Sequence, residues 1–172
     1  MLNQYIKGNI LVLIDAANLE NSLKGLGWRM DYKKLYAYFN NNSKLIKITY
    51  YSAKFNNEGH NGFLTVLKRT GFGLVTKNVK SIFNGEDYID KANFDVEITL
   101  DARNIMDKYN TLILFSGDSD FEYLIKFLRK RNKKVIVISS KHHISKELVR
   151  CCNKYIGLKI LKNIFQRINC TK

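Results

Sequence analysis

Proline is absent from this 172-residue chain, cysteine occurs three times, tryptophan once, and the 15 acidic residues are outnumbered by 29 lysines and arginines. Each scarcity excludes something. No Pro- or Ser-rich stretch, internal repeat or low-complexity block marks a linker, so residues 1–172 are expected to form one domain, long enough to bury a core without covalent staples. Cys151 and Cys152 are adjacent and Cys170 lies near the terminus. Thiols so placed make neither an even disulfide framework nor paired zinc knuckles, and are expected to be free in a reducing compartment. No apolar run approaches the ~18 residues of a membrane span. Met1 to Gly8 is polar and leads directly into the first apolar segment, unlike a signal or transit peptide, so the expected location is cytoplasmic.

What is present is a 45% hydrophobic chain in which apolar runs alternate with turns, and a formal net charge of +14. A charge of that size speaks about partners rather than fold. The abundance of Lys, Asn and Ile without Pro is also what a biased genome produces. The few acids cluster, however, and a negative pocket on a positive body suits a nucleic acid held by the body and met by a metal in the pocket.

The apolar runs give a regular order. Asn9 to Ile14, Leu45 to Ala53, Gly73 to Val79, Thr111 to Phe115 and Lys134 to Ser139 are expected strands, with Tyr155 to Leu161 a short last one. Helices are expected from Asp31 (as N-cap) to Phe39, before Gly71, over Asp95 to Met106, from Ser119 to about Arg131, from Ser145, and over Lys162 to Ile168. A loop through Gly25 and Gly27 and a flexible loop over Ser81 to Lys91 complete the expectation. Alternating strands and helices predict an α/β fold: three α/β/α layers around a mainly parallel sheet of five to six strands.

Acids stand where apolar strands end. Phe115-Ser116-Gly117-Asp118-Ser119-Asp120-Phe121 joins a strand to a helix, and Asp15-Ala16-Ala17-Asn18 follows another strand. Open α/β sheets bind ligands at the carboxyl ends of their strands. Asp118 and Asp120, two apart, would repel without a cation; Mg²⁺ or Mn²⁺ keeps several waters and needs only two or three carboxylates. Capping is the alternative role for each. Asp95 starts a predicted helix and can face the same edge. Asp101, six residues on, is turned about 240° away and pairs in direction with Glu97 instead.

Ile14-Asp15-Ala16-Ala17-Asn18-Leu19, then Lys91-Ala92-Asn93-Phe94-Asp95-Val96-Glu97 continuing to Leu100-Asp101-Ala102, then Ser116-Gly117-Asp118-Ser119-Asp120-Phe121 resemble, in order and spacing, the NYN domain family of PIN-like nucleases, in its LabA-like branch. The resemblance covers about residues 9–161. It implies a PIN-like fold and an endoribonuclease site using Mg²⁺ or Mn²⁺. Asp15, Asp95, Asp118 and Asp120 match the acidic cluster that binds metal and catalyses, with Asn18, Ser116 and Asp101 as accessory polar positions. Asn153 departs from the family, which commonly carries an acid before the last strand.

Lys54, Lys77, Lys80, Lys91 and Lys141 follow or flank strand ends on the pocket side and are the expected RNA contacts. Tyr50, Tyr51, Phe55 and Phe83 are candidates for stacking bases. The dense run Lys126, Arg129, Lys130, Arg131, Lys133 and Lys134 ends a helix nearly 18 Å from its acidic start, and there complements the helix dipole. The histidines lie near no nucleophile motif, and no phosphate-binding glycine loop follows a strand. Rival readings are an RNA- or protein-binding module with weak or no catalysis, and a metal-dependent phosphatase, against which the lack of an Asp-x-Asp pair after the first strand speaks. A homodimer is compatible with all of these.

Overall fold

In the computed structural model, which describes residues 2–83 and 88–168, six strands form one parallel sheet. They are β1 (Asn9–Asp15), β2 (Lys44–Lys54), β3 (Gly73–Asn78), β6 (Thr111–Phe115), β7 (Lys134–Ser139) and β8 (Lys154–Gly157), in the spatial order β3-β2-β1-β6-β7-β8. Strand alternation splits the core in two. Ile10, Val12, Ile14, Ile113 and Phe115 face one layer, and Leu11, Leu13, Leu112 and Leu114 the other.

The first layer holds α1 (Ala16–Leu26), α2 (Tyr32–Asn42), α3 (Glu58–Thr70) and α7 (Leu158–Phe165); the second holds α4 (Asp95–Asn104), α5 (Glu122–Arg129) and α6 (Lys146–Cys151). This is the α/β/α, PIN-like arrangement. The chain moves outward from β1 to β3 and then returns to lay β6 against the other side of β1, with Ile14 beside Phe115. Connections therefore diverge from β1 and β6 in opposite directions, and a crevice opens at their carboxyl ends. Asp15 and Ser116 stand at that crevice.

Three expectations are corrected. The segment after β1 is a helix, not a loop: Asp15 caps it, Leu19 and Leu23 bury one face, and it stops only at Gly27, whose φ of 68° permits the left-handed turn. The stretch expected as a loop over Ser81 to Lys91 carries β4 (Lys80–Phe83) and β5 (Tyr88–Lys91), an antiparallel pair that sets Ile82 opposite Ile89 and Phe83 opposite Tyr88, residue types at home in strands. The last strand ends at Gly157, and the following helix starts there because Leu158, Leu161 and Phe165 recur at helical spacing and are buried. Asp31 caps α2 as expected, accepting from the N–H groups of Lys33 and Lys34. Cys170 lies outside the described residues, while Cys151 and Cys152 are free thiols. Among the described residues no helix is long and apolar enough to cross a membrane.

Candidate metal centre

Three acids converge at the crevice. Asp95, Asp118 and Asp120 each offer a carboxylate oxygen, and these atoms all lie within 4.8 Å of one another. They come from two directions: Asp95 from the first turn of α4, Asp118 and Asp120 from the turn after β6.

Local bonding aims each of them. The Asn93 side-chain oxygen accepts the Asp95 backbone N–H at 2.7 Å while its amide donates to the Asp95 carboxylate. Asn93 is itself tied down, because Lys77 Nζ donates to its carbonyl at 2.8 Å, pairs with Glu97 at 2.6 Å and lies 5.1 Å from the centre of the Phe94 ring. That pairing holds the Glu97 carboxyl below its usual range. On the other side, Asp118 Oδ1 accepts from the Asp120 N–H at 3.1 Å, so Asp118 caps its own turn. Ser116, fully buried, donates its hydroxyl to Asp15 Oδ2 at 3.1 Å and accepts the Asp118 N–H at 3.3 Å.

Asp15 is a neighbour of the trio rather than part of it. Its Oδ1 accepts the Asn18 N–H, and its Oδ2 is the oxygen that takes the Ser116 hydroxyl. Burial pushes its carboxyl above the usual range, the two hydrogen bonds oppose that, and the charges of Asp95 and Asp118 add to it. Asp95 is likewise raised, by burial first, against the Asn93 bond and with the charges of Asp118, Asp120 and Glu97. The negative field is thus shared between all four acids. A hard divalent cation fits the donor set: three carboxylates from one edge, that of Asp120 exposed to solvent, which can supply the remaining ligands.

Asn18 performs a different task. Its side-chain oxygen accepts the Gly117 N–H at 2.9 Å and lies 3.4 Å from the Ser139 hydroxyl, joining α1 to the loop after β6. Asp101 is turned to the sheet, where it accepts the buried Tyr51 hydroxyl at 2.6 Å.

The expected RNA contacts divide. Lys54 and Lys141 are exposed at the carboxyl ends of β2 and β7. Lys77 is occupied by the clamp on α4. Lys80 and Lys91 pair across the hairpin, but their side chains lie outside the described structure, as does that of Phe83. Tyr50 and Tyr51 are core residues and cannot stack a base, whereas Phe55 is 44% exposed. The basic run at the end of α5 is largely bound to protein: Lys126 pairs with Glu122, Arg129 donates to the Cys151 carbonyl, Arg131 stacks on Phe127, and Lys133 donates to the Tyr109 carbonyl. Asn153 accepts the Val135 N–H at 2.8 Å, a structural bond.

Sequence reasoning missed the part played by Asn93 and Lys77. An asparagine two residues before a helix-start acid is the available signal for the first. Lys77 is 20 residues from Glu97, and nothing local announces the pair.

The family model of the NYN domain matches residues 9–159. The chain is 29% identical over 163 residues to the low amplitude and bright protein LabA of Synechococcus elongatus, covering 92% of this chain and 88% of that protein. A crystal structure of a Vibrio parahaemolyticus protein of unknown function resembles it with a TM-score of 0.78 at 26% identity, over 94% of this chain and 97% of the other.

Proposed function

The chain belongs to the NYN domain family, and on that premise we propose that it is an endoribonuclease that hydrolyses RNA phosphodiester bonds with Mg²⁺ or Mn²⁺. The observation that carries this reading is the convergence of Asp95, Asp118 and Asp120 within 4.8 Å at the crevice between β1 and β6. These three would hold the cation. Once bound, it supplies Lewis-acid stabilisation of phosphate charge and lowers the pKa of water.

The chain's own residues do the rest. Asn93 and Lys77 keep Asp95 turned to the crevice, and Asp118 fixes the Asp120 turn. Asp15, the fourth catalytic acid, holds the Ser116 hydroxyl so that Ser116 in turn receives the Asp118 N–H. Asn18 holds Gly117, and Asp101 anchors β2 to α4 through Tyr51. Lys54, Lys141, Lys80 and Lys91 neutralise phosphates of a strand lying along the carboxyl edge, while Lys77 acts through Asn93. A location in the cytoplasm, where RNA is available, suits this activity.

The test is cleavage of single-stranded RNA, structured RNA and a chromogenic phosphate ester, each with Mg²⁺, Mn²⁺ and EDTA. Internal cuts in RNA that require the metal support the proposal. Hydrolysis of the ester alone makes the protein a phosphatase, and RNA binding without turnover makes it a binding module.

A further inference from the structure

Beside Asp15 the structure has a second feature. A cleft of about 590 Å³ lies between α1 and α3 above the carboxyl end of β2, and Ala16 and Ala17, the residues directly after Asp15, form part of its wall. That volume is within the range of small-molecule sites. The cleft thus opens onto the same edge as the acids.

Its wall combines three kinds of group. Phe63 packs edge-on against Tyr32 at 5.3 Å between ring centres, and Phe55, 44% exposed, packs edge-on against His60 at 5.1 Å. Glu20 stands among them with one oxygen, Oε1, accepting both the Tyr32 and the Tyr50 hydroxyls. Its other oxygen has no hydrogen-bond partner among the described residues. Arg29 and Arg167, both exposed, stand at one rim, their backbones joined by the Arg167 N–H donating to the Arg29 carbonyl at 2.8 Å. Neither guanidinium has a described partner.

This combination selects among occupants. An aliphatic side chain would cover the second carboxylate oxygen of Glu20 and leave it without a donor, at a cost. A flat heterocycle with an N–H edge satisfies the aromatic faces and Glu20 together, and two arginines at one rim, without an acidic partner among the described residues, suit a phosphate. We propose that the cleft binds the nucleotide adjoining the scissile phosphate of single-stranded RNA, its base against Phe55 and Phe63, an N–H of the base on Glu20, and its phosphate on Arg29 and Arg167. The placement beside a scissile bond rests on the nuclease reading; the binding of a nucleotide does not.

The test therefore uses no metal and no turnover. The full-length protein in EDTA is titrated calorimetrically with the four ribonucleoside 5′-monophosphates, the corresponding nucleosides and inorganic phosphate. The expected result is millimolar or tighter binding of the monophosphates, unequal among the four bases. Stacking contributes enough that Phe55→Ala, at an exposed ring, should weaken binding about fivefold or more. Arg29→Ala together with Arg167→Ala should bring monophosphates down to the affinity of nucleosides, and Glu20→Gln should change the ranking of the bases. Failure of all four nucleotides to bind, phosphate alone binding as well as a nucleotide, or affinity unmoved by Phe55→Ala would each overturn the proposal. Nucleotide binding without RNA cleavage would remove only the nuclease reading, and cleavage without nucleotide binding would remove only this one.

Discussion

The carbonyl oxygen of His143 stands 1.9 Å from the point that a β-carbon on Gly117 would occupy. The loop after β7 is thus laid directly on the backbone of the turn that carries Asp118 and Asp120, and Ser145 adds an N–H bond to the Gly117 carbonyl at 2.9 Å. Only glycine allows this approach. Gly117→Ala must push the two loops apart, separating Asp118 from Asp95; a loss of ~2 kcal/mol or more in chemical denaturation is expected, with RNA cleavage abolished. Gly62→Ala, in the exposed middle of α3 where a β-carbon meets nothing within 4 Å, is the control: it should gain up to about 1 kcal/mol from helix propensity and keep cleavage.

Asn18 should matter for the shape of the site more than for its charge. Removing its side chain leaves the buried Gly117 N–H without an acceptor, a cost of about 1–3 kcal/mol. Asn18→Ala is expected to lose that much stability and most activity, while Asn18→Asp, which keeps an acceptor, retains more of the stability. Denaturant melts of the two variants beside wild type check the order.

Crowding of acids makes a prediction about pH. Asp15 and Asp95 have carboxyls raised by burial. A group whose folded pKa lies above its unfolded one binds more protons in the folded state, so its ionisation costs stability, and that cost appears as pH rises through both values. In EDTA, Asp95→Asn should therefore melt above wild type at pH 7, with the gap closing as the pH falls and the wild-type carboxyl takes up its proton. Saturating Mn²⁺ should reverse the order, since binding at 100 times Kd stabilises the wild type by ~2.7 kcal/mol. A gap independent of pH and metal would show that Asp95 is merely a helix-start residue.

The path of RNA should follow the pocket edge. Lys80→Ala with Lys91→Ala is expected to weaken RNA binding more than Lys130→Ala with Arg131→Ala, although each pair removes the same charge. Binding is measured in Ca²⁺ at one salt concentration, and then across salt, where log affinity should fall linearly with log salt. Equal losses would indicate a general electrostatic effect, and a flat salt response a partner other than a polyanion.

The strands that make the crevice were legible because buried parallel strands are continuous apolar runs, and NILVLI and TLILF cannot be mistaken for surface. Asp118 and Asp120 followed from their place after such a run. Helix α1 was not legible, because Gly25 and Gly27 read as a loop while the helix depends on Leu19 and Leu23 docking against the sheet, a tertiary gain. The same blindness applied to Tyr50 and Tyr51, whose types fit either a core or a stacking surface until β1 and β3 are seen to flank them. Pairings over long separations, such as Lys77 with Glu97 or Glu20 with Tyr50, leave no local pattern.

The most direct measurement is cleavage of single-stranded RNA in Mn²⁺ by purified wild type and Asp118→Asn. Asparagine also caps a turn, so the variant should fold, with a melt in EDTA no lower than the wild type's, while losing one charge from the trio. The expected result is metal-dependent cleavage by the wild type that is absent in EDTA and lost in the variant. Cleavage at the wild-type rate by well-folded Asp118→Asn would contradict it.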